Sequence, residues 1–239
     1  MDIATLTRVG GRTVNEDCAA CAGSNGAYCV VVCDGLGGHG FGEVASATAV
    51  EAVMKAFREY GEAEDFIERA AAAAQDAVLK KQDESLRMHD MRTTLVILSV
   101  RNGCARWLHV GDSRLYLFRG KNVIAQTADH SVPGMLVKMG ELKLKNVRNH
   151  PDRNRVLRVI GDREMGLKYD VSEPTPVMPG DAFLLCTDGY WELIDEKQMG
   201  KRLKKASSAL DWLTVMADEV QKNGRNRNMD NYTAGALIV

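Results

Sequence analysis

The chain has 239 residues, 45% of them hydrophobic and 26% charged, and 31 basic against 32 acidic side chains leave a formal charge of −1. A chain of this length hides about 70% of its surface on folding, enough for one sizeable core. The balance offers no basic surplus for nucleic acid, and the chain has neither a signal-like leader nor an apolar run near the roughly 18 residues that cross a bilayer, so a cytoplasmic protein is expected.

The elements are taken in chain order. Arg12 and Asn15-Glu16-Asp17 precede the first strong strand, the β-rich apolar run Ala27–Cys33, which ends at Asp34-Gly35. The glycine-rich turn Gly37-Gly38-His39-Gly40 follows, and a helix is expected to start between Glu43 and Ser46. Val50, Val53, Met54 and Phe57 keep helical spacing, as do Ile67, Ala70, Ala71, Ala74, Ala77 and Val78, with Gly61 as the break between two helices. Strands are expected over Thr93–Val100 and Ala105–Val110, across the turn residues Asn102-Gly103, and over Arg114–Arg119. Residues 131–175 show little periodicity and read as a surface excursion. Strands over Asp181–Thr187 and Tyr232–Val239 enclose a helix carrying Leu210, Leu213, Ala217 and Val220. Short turns between neighbouring strands require antiparallel pairing, so an α+β fold of stacked antiparallel sheets with helices on the outer faces is expected.

Six cysteines are present, and only Cys18 and Cys21 have metal-like spacing. No second ligand pair follows them, so the thiols read as reduced and structural. None has an arginine six positions later, which excludes a Cys-x5-Arg phosphatase loop.

The aspartates carry the chemistry. Three apolar strands each run into an acidic turn, at Asp34-Gly35, Gly111-Asp112-Ser113 and Asp188-Gly189, and Asp230-Asn231 precedes the last strand. Any one of these reads well as a turn cap, but four repetitions are explained better by carboxylates converging on one rim. Gathering them costs several kcal/mol unless a cation offsets the repulsion. Hard divalent ions such as Mg²⁺ or Mn²⁺ suit an all-oxygen donor set, and two about 3.5–4 Å apart would activate a water and hold a phosphoryl group. The glycine-rich turn lacks the Lys-Ser/Thr ending of a P-loop. Arg12 is the candidate for gripping phosphate, a solvated surface arginine being the plainer alternative. Arg114 is expected to pair with an acidic neighbour in its β-turn.

Six ordered segments then resemble the metal-dependent protein serine/threonine phosphatases, the PPM or 2C-type family, in its compact bacterial form. They are Arg12 to Asp17, Asp34 to His39, Val110 to Arg114, Thr127 to His130, Gly180 to Gly189, and Asp230 to Thr233. The resemblance runs from about residue 8 to residue 239. It implies one catalytic domain over 1–239: an antiparallel β-sandwich flanked on both faces by helix pairs, with a flap over about 131–160. It implies two Mn²⁺ or Mg²⁺ ions, with Asp34 bridging them, the Gly35 carbonyl completing the first, and Asp188 and Asp230 holding the second. A third, weaker ion would sit near Asp112 and Asp188. Glu16 and Asp17 would orient water, Asn231 would support them, and Arg12 would bind the substrate phosphate. Arg12, Asp34 and Asp188 thus form the expected catalytic set.

Two positions depart from the family pattern. Leu36 stands where animal members have a histidine, leaving leaving-group protonation to metal-bound water or another residue, with His39 a nearby candidate. Arg92 precedes the threonine pair where the family usually has glycine. The implied reaction is direct attack of a metal-bridging water on phosphoserine or phosphothreonine in proteins, without a covalent intermediate. Expected partners are phosphorylated proteins, including a serine/threonine kinase or its targets, met by a monomer that binds neither nucleic acid nor membrane. Two other readings are a non-catalytic phosphoprotein-binding regulatory module of the same fold and a hydrolase of small phosphomonoesters.

Overall fold

A computed structural model describes residues 1–36 and 40–239; Gly37, Gly38 and His39, with the acid role considered for His39, lie outside the described residues. The first half contains β1 (Asp2–Arg8), β2 (Asp17–Ser24), β3 (Ala27–Leu36), α1 (Gly42–Tyr60), α2 (Phe66–Asp83), β4 (Arg92–Thr93), β5 (Leu95–Arg101) and β6 (Cys104–Val110). Next come β7 (Arg114–Arg119), β8 (Asn122–Gln126), α3 (Val132–Lys138), β9 (Asp170–Val171) and β10 (Thr175–Pro176). The chain closes with β11 (Asp181–Cys186), α4 (Asp188–Trp191), α5 (Glu196–Leu203), α6 (Ala209–Gly224) and β12 (Tyr232–Ile238).

Two antiparallel sheets result. One has the order β1-β12-β11-β7-β8; the other runs β10-β6-β5-β3-β2, with β4 added to β3 and β9 to β6. Strand alternation sorts the side chains of β3. Cys29, Val31 and Cys33 join Val53, Phe57, Ala70 and Ala74 of α1 and α2 in one core cluster. Val30 and Val32 turn the other way and share a cluster with Leu115, Leu117, Phe183, Leu185 and Leu237 of the opposite sheet. A β-carbon at Gly235 in β12 would stand 2.5 Å from the Val30 side chain, so glycine permits that close approach. On the far side Phe118 and Leu184 pack with Trp212, Leu213 and Met216 of α6.

The alanines of α2 do what their size allows. Ala70, Ala71 and Ala74 are fully buried, letting α1 approach closely, and Phe57 meets Phe66 edge-on at 5.5 Å where the two helices join. The strand expected over Thr93–Val100 is divided at Thr94, with consequences described below. The excursion over 131–175 is less irregular than its composition implies. Ser131 caps α3 by accepting from the Gly134 N–H at 3.2 Å, and β9 and β10 pair with β6. Cys18 packs on the helix face of β2 and Cys21 on the inter-sheet face. Residues three apart on a strand point oppositely, so the two cannot share one ion. No helix among the described residues is long and apolar enough to cross a membrane.

Candidate active site

Strand ends and the turns beside them meet at one end of the two sheets. Arg12, Glu16, Asp34, Gly35, Asp112, Asp188, Asp230 and Asn231 line a single cavity of about 150 Å³, together with Leu36, Asn154 and Val156. Asp17 stands behind it, buried and directly opposite Asp34 in the β2–β3 register. The structure thus brings together every residue that the acidic turns and Arg12 nominated.

Local contacts explain the convergence. The Asp34 N–H donates to Thr94 Oγ1 at 2.9 Å, while the Asp34 carbonyl accepts from the Thr94 N–H and the Thr93 hydroxyl, each at 2.9 Å. Those bonds divide the expected strand at Thr94. Thr94 Oγ1 lies 2.8 Å from Ser113 Oγ, beside Asp112. Thr187 donates to Asp17 Oδ2 at 2.9 Å and accepts from the Thr233 N–H at 3.0 Å, joining the turns that carry Asp188 and Asp230 to β2. Asn231 accepts from the Glu16 N–H at 2.8 Å and donates to the carbonyls of Val9 and Val14. Two glycines are required by space: a β-carbon at Gly35 would stand 2.2 Å from the Gly42 carbonyl oxygen, and one at Gly189 would stand 2.1 Å from that of Asn231.

The electrostatics are lopsided. Burial, reinforced by the charges of Asp17, Asp188, Asp112 and Asp230, pushes the Asp34 carboxyl well above the usual range. Burial raises Asp17 to about 7 and, with the Asp230 charge, Asp188 to about 6. Asp112 is also pushed well up by burial and by Asp188. Arg12 is the cation on the cavity wall, its Nη2 2.8 Å from Asp230 Oδ2. One guanidinium does not balance five carboxylates. An all-oxygen set of clustered, uncompensated acids fits hard divalent cations, which would restore the ionised forms.

Sequence reading assigned no role to the hydroxyls of Thr94, Thr187 and Thr233, although each lies within a segment already singled out. It also missed Glu192, which burial and the Asp188 charge raise to about 7 and which lies 2.8 Å from Arg153. Arg114 does not pair within its β-turn. It makes a bidentate pair with Asp129, 2.8 and 2.7 Å, and lies 3.5 Å above the Trp191 ring. The turn holds no carboxylate placed as well as Asp129, which the β7–β8 hairpin returns to the same spot.

A second donor group lies outside the cavity. The ligand atoms of His109, His130 and Asp170 fall within 4.8 Å of one another, a set that could hold one divalent ion. Here their polarity is met internally. His130 Nδ1 accepts from the Gly111 N–H at 3.2 Å, and Arg158 Nη1 is 3.1 Å from His130 Nε2 and 2.8 Å from Asp170.

Two antiparallel sheets flanked by helices, with a carboxylate-lined cavity at their shared end, define a metal-dependent phosphatase. The chain matches the family described as Protein phosphatase 2C over residues 8–232. It is 30% identical over 208 residues to Protein phosphatase PhpP of Streptococcus pneumoniae, covering 83% of this chain and 82% of that protein. It is 29% identical over 209 residues to Serine/threonine phosphatase stp of Listeria monocytogenes, with 84% and 81% covered. The crystal structure of the PPM Ser-Thr phosphatase MsPP from Mycobacterium smegmatis, in complex with cacodylate, superposes with a TM-score of 0.82 at 28% identity, covering 100% of this chain and 98% of that one. The chain belongs to the protein phosphatase 2C family and is an enzyme of the serine/threonine phosphatase class.

Proposed function

We propose that this protein removes phosphate from phosphoserine and phosphothreonine in other proteins, with water as the nucleophile and no covalent enzyme intermediate. The observation that carries this is the meeting of Asp34, Asp112, Asp188, Asp230, Glu16 and Arg12 around one small cavity. Asp34, the Gly35 carbonyl, Asp188 and Asp230 would hold two Mn²⁺ or Mg²⁺ ions, and Asp112 with Asp188 a third, weaker one. When bound, such a pair supplies an activated water and a positive field for the phosphoryl oxygens. The carboxylates are preferred over the His109, His130 and Asp170 group because Arg158 already serves that group's charge.

The chain's own groups do the rest. Arg12 uses one nitrogen on Asp230, and the other donors of its planar fork have no partner among the described residues and can grip a phosphate. Glu16, fixed through its N–H by Asn231, and Asp17, held by Thr187, orient the attacking water. All six cysteines are unpaired, and Cys33, the one nearest Asp34 in sequence, is fully buried with its thiol raised well above its ordinary value by burial. A thiolate nucleophile is therefore not needed and not available there.

We read residues 1–239 as one catalytic domain with its flap over about 131–160, and the two sheets sharing a core as a β-sandwich layered between α1–α2 and α5–α6. The half-exposed Arg12 and open cavity suit phosphorylated protein segments, among them a serine/threonine kinase or its targets, met in the cytoplasm by a monomer. Purified protein should release phosphate from a phosphothreonine peptide with Mn²⁺ and lose that activity in Asp34→Asn. Equal activity after EDTA treatment would reject the metal-dependent mechanism. Peptide binding without phosphate release, even at high Mn²⁺, would favour a non-catalytic binding module.

A further inference from the structure

A groove of about 520 Å³ runs on from the carboxylate cavity and shares Leu36, Asn154 and Val156 with it. Arg92 is exposed on its wall and is the one cation lining it among the described residues. The two acids of the same wall are engaged. Asp90 lies 3.0 Å from His89 Nε2, and one Asp162 oxygen accepts the N–H groups of Glu164 and Met165, each at 3.0 Å. Arg92 has no hydrogen-bond or ion-pair partner among the described residues, so its guanidinium donors are open to the groove, although Asp90 and Asp162 keep their charges on the same wall.

Register sets where it stands. Arg92 in β4 lies opposite Leu36 in β3, and Leu36 is two residues beyond Asp34. Opposed residues of an antiparallel pair share a face, as do residues two apart on one strand, so Arg92 and Asp34 are on the same face. Two residues along a strand are about 7 Å and neighbouring strands about 5 Å apart, which puts the two α-carbons roughly 8 Å from each other. An extended peptide advances about 3.4 Å per residue. A substrate whose phosphate sits in the carboxylate cavity and whose chain follows the groove passes Arg92 two or three residues away.

We propose that Arg92 is a specificity-determining residue that selects protein substrates carrying a carboxylate side chain two or three residues from the phosphorylated one. This rests on the catalytic reading above. The floor supplied by Leu36 and Val156 lies close to the aliphatic stem of such a side chain, and the guanidinium pairs with its acidic end.

The test compares phosphothreonine peptides with Glu, Ala or Lys at the second and third positions on either side, using wild type, Arg92→Lys, Arg92→Gly and Arg92→Glu with Mn²⁺. The readout is the ratio of kcat/KM between peptides for each enzyme, which cancels any difference in folded fraction. Exposed charge pairs contribute about 0.2–1 kcal/mol, a factor of roughly 1.4 to 5, so wild type should favour Glu over Ala by about that factor, chiefly through KM, and Glu over Lys by more. Arg92→Lys should keep the order, Arg92→Gly should bring the ratio near one, and Arg92→Glu should invert it. The same ratio in all four enzymes, or a wild-type preference for Lys, overturns the proposal. Should no peptide release phosphate, the catalytic reading fails instead, and the ratio of peptide affinities decides the role of Arg92 by the same ordering.

Discussion

Two buried ionic regions lie a few residues apart and are built on opposite principles. Arg114 and Asp129 form a closed pair with two short hydrogen bonds, roofed by Trp191, both side chains almost fully buried. The neighbouring cluster of Asp17, Asp34, Asp112 and Asp188 has one sign of charge, with Asp17 and Asp112 buried and Asp34 and Asp188 half-buried. Trp191 touches both, since its indole N–H donates to the Asp112 carbonyl at 3.1 Å. The first region is complete within the chain and braces the turn bearing Asp112. The second asks for a partner from outside. The fold neutralises one buried charge fully and leaves four acids beside it unneutralised, and the proposed cation site rests on that imbalance.

The contrast is sharpened most by Asp34→Asn. We expect it to lower phosphopeptide hydrolysis about a thousandfold while the circular dichroism spectrum stays native, because it removes a proposed metal ligand and a like charge together. Full activity in that variant would break the comparison. Arg114→Met should instead act on stability, lowering the unfolding free energy in urea by about 3–5 kcal/mol because Asp129 is left buried and unpaired. The double variant Arg114→Met with Asp129→Leu should recover most of that loss. A smaller effect is expected from Thr94→Val, which leaves the Asp34 N–H without its acceptor and should cost about 1–3 kcal/mol with some loss of activity.

A pH dependence is expected outside the carboxylate cluster. Burial and the stacked His109 ring, 4.4 Å away, push His130 down to about 4 from an ordinary 6.5. The folded state therefore favours the neutral ring, which accepts the Gly111 N–H. Its contribution is fully present above about pH 6.5 and lost progressively as pH falls toward 4. His130→Asn should flatten the fall of Tm across that window, and an unchanged slope would place the proton elsewhere.

Strong periodicity was legible in the sequence. β3, β7, β11, β12 and the helix pair α1–α2 lie where apolar spacing put them. β2 was not, because Asp17–Ser24 is made of small residues whose strand conformation comes from pairing with β3 along its whole length. α5 was hidden too: its contact with the β7–β8 turn is made by Gly200, where a β-carbon would stand 2.0 Å from the Lys121 carbonyl oxygen. In the site, the acidic turns announced themselves, whereas the threonines that fix them did not. A hydroxyl that bonds a neighbouring strand's backbone leaves no pattern in its own segment.

From the sequence alone came the identity of the acids, their place at strand ends, and the guanidinium that accompanies them, because turn chemistry and strand patterning are local. Tertiary structure decided which acids face one another, that Arg114 belongs to Asp129, and that Arg92 shares a face with Asp34. Those relations depend on register and sheet order, which are set by the packing of residues far apart along the chain.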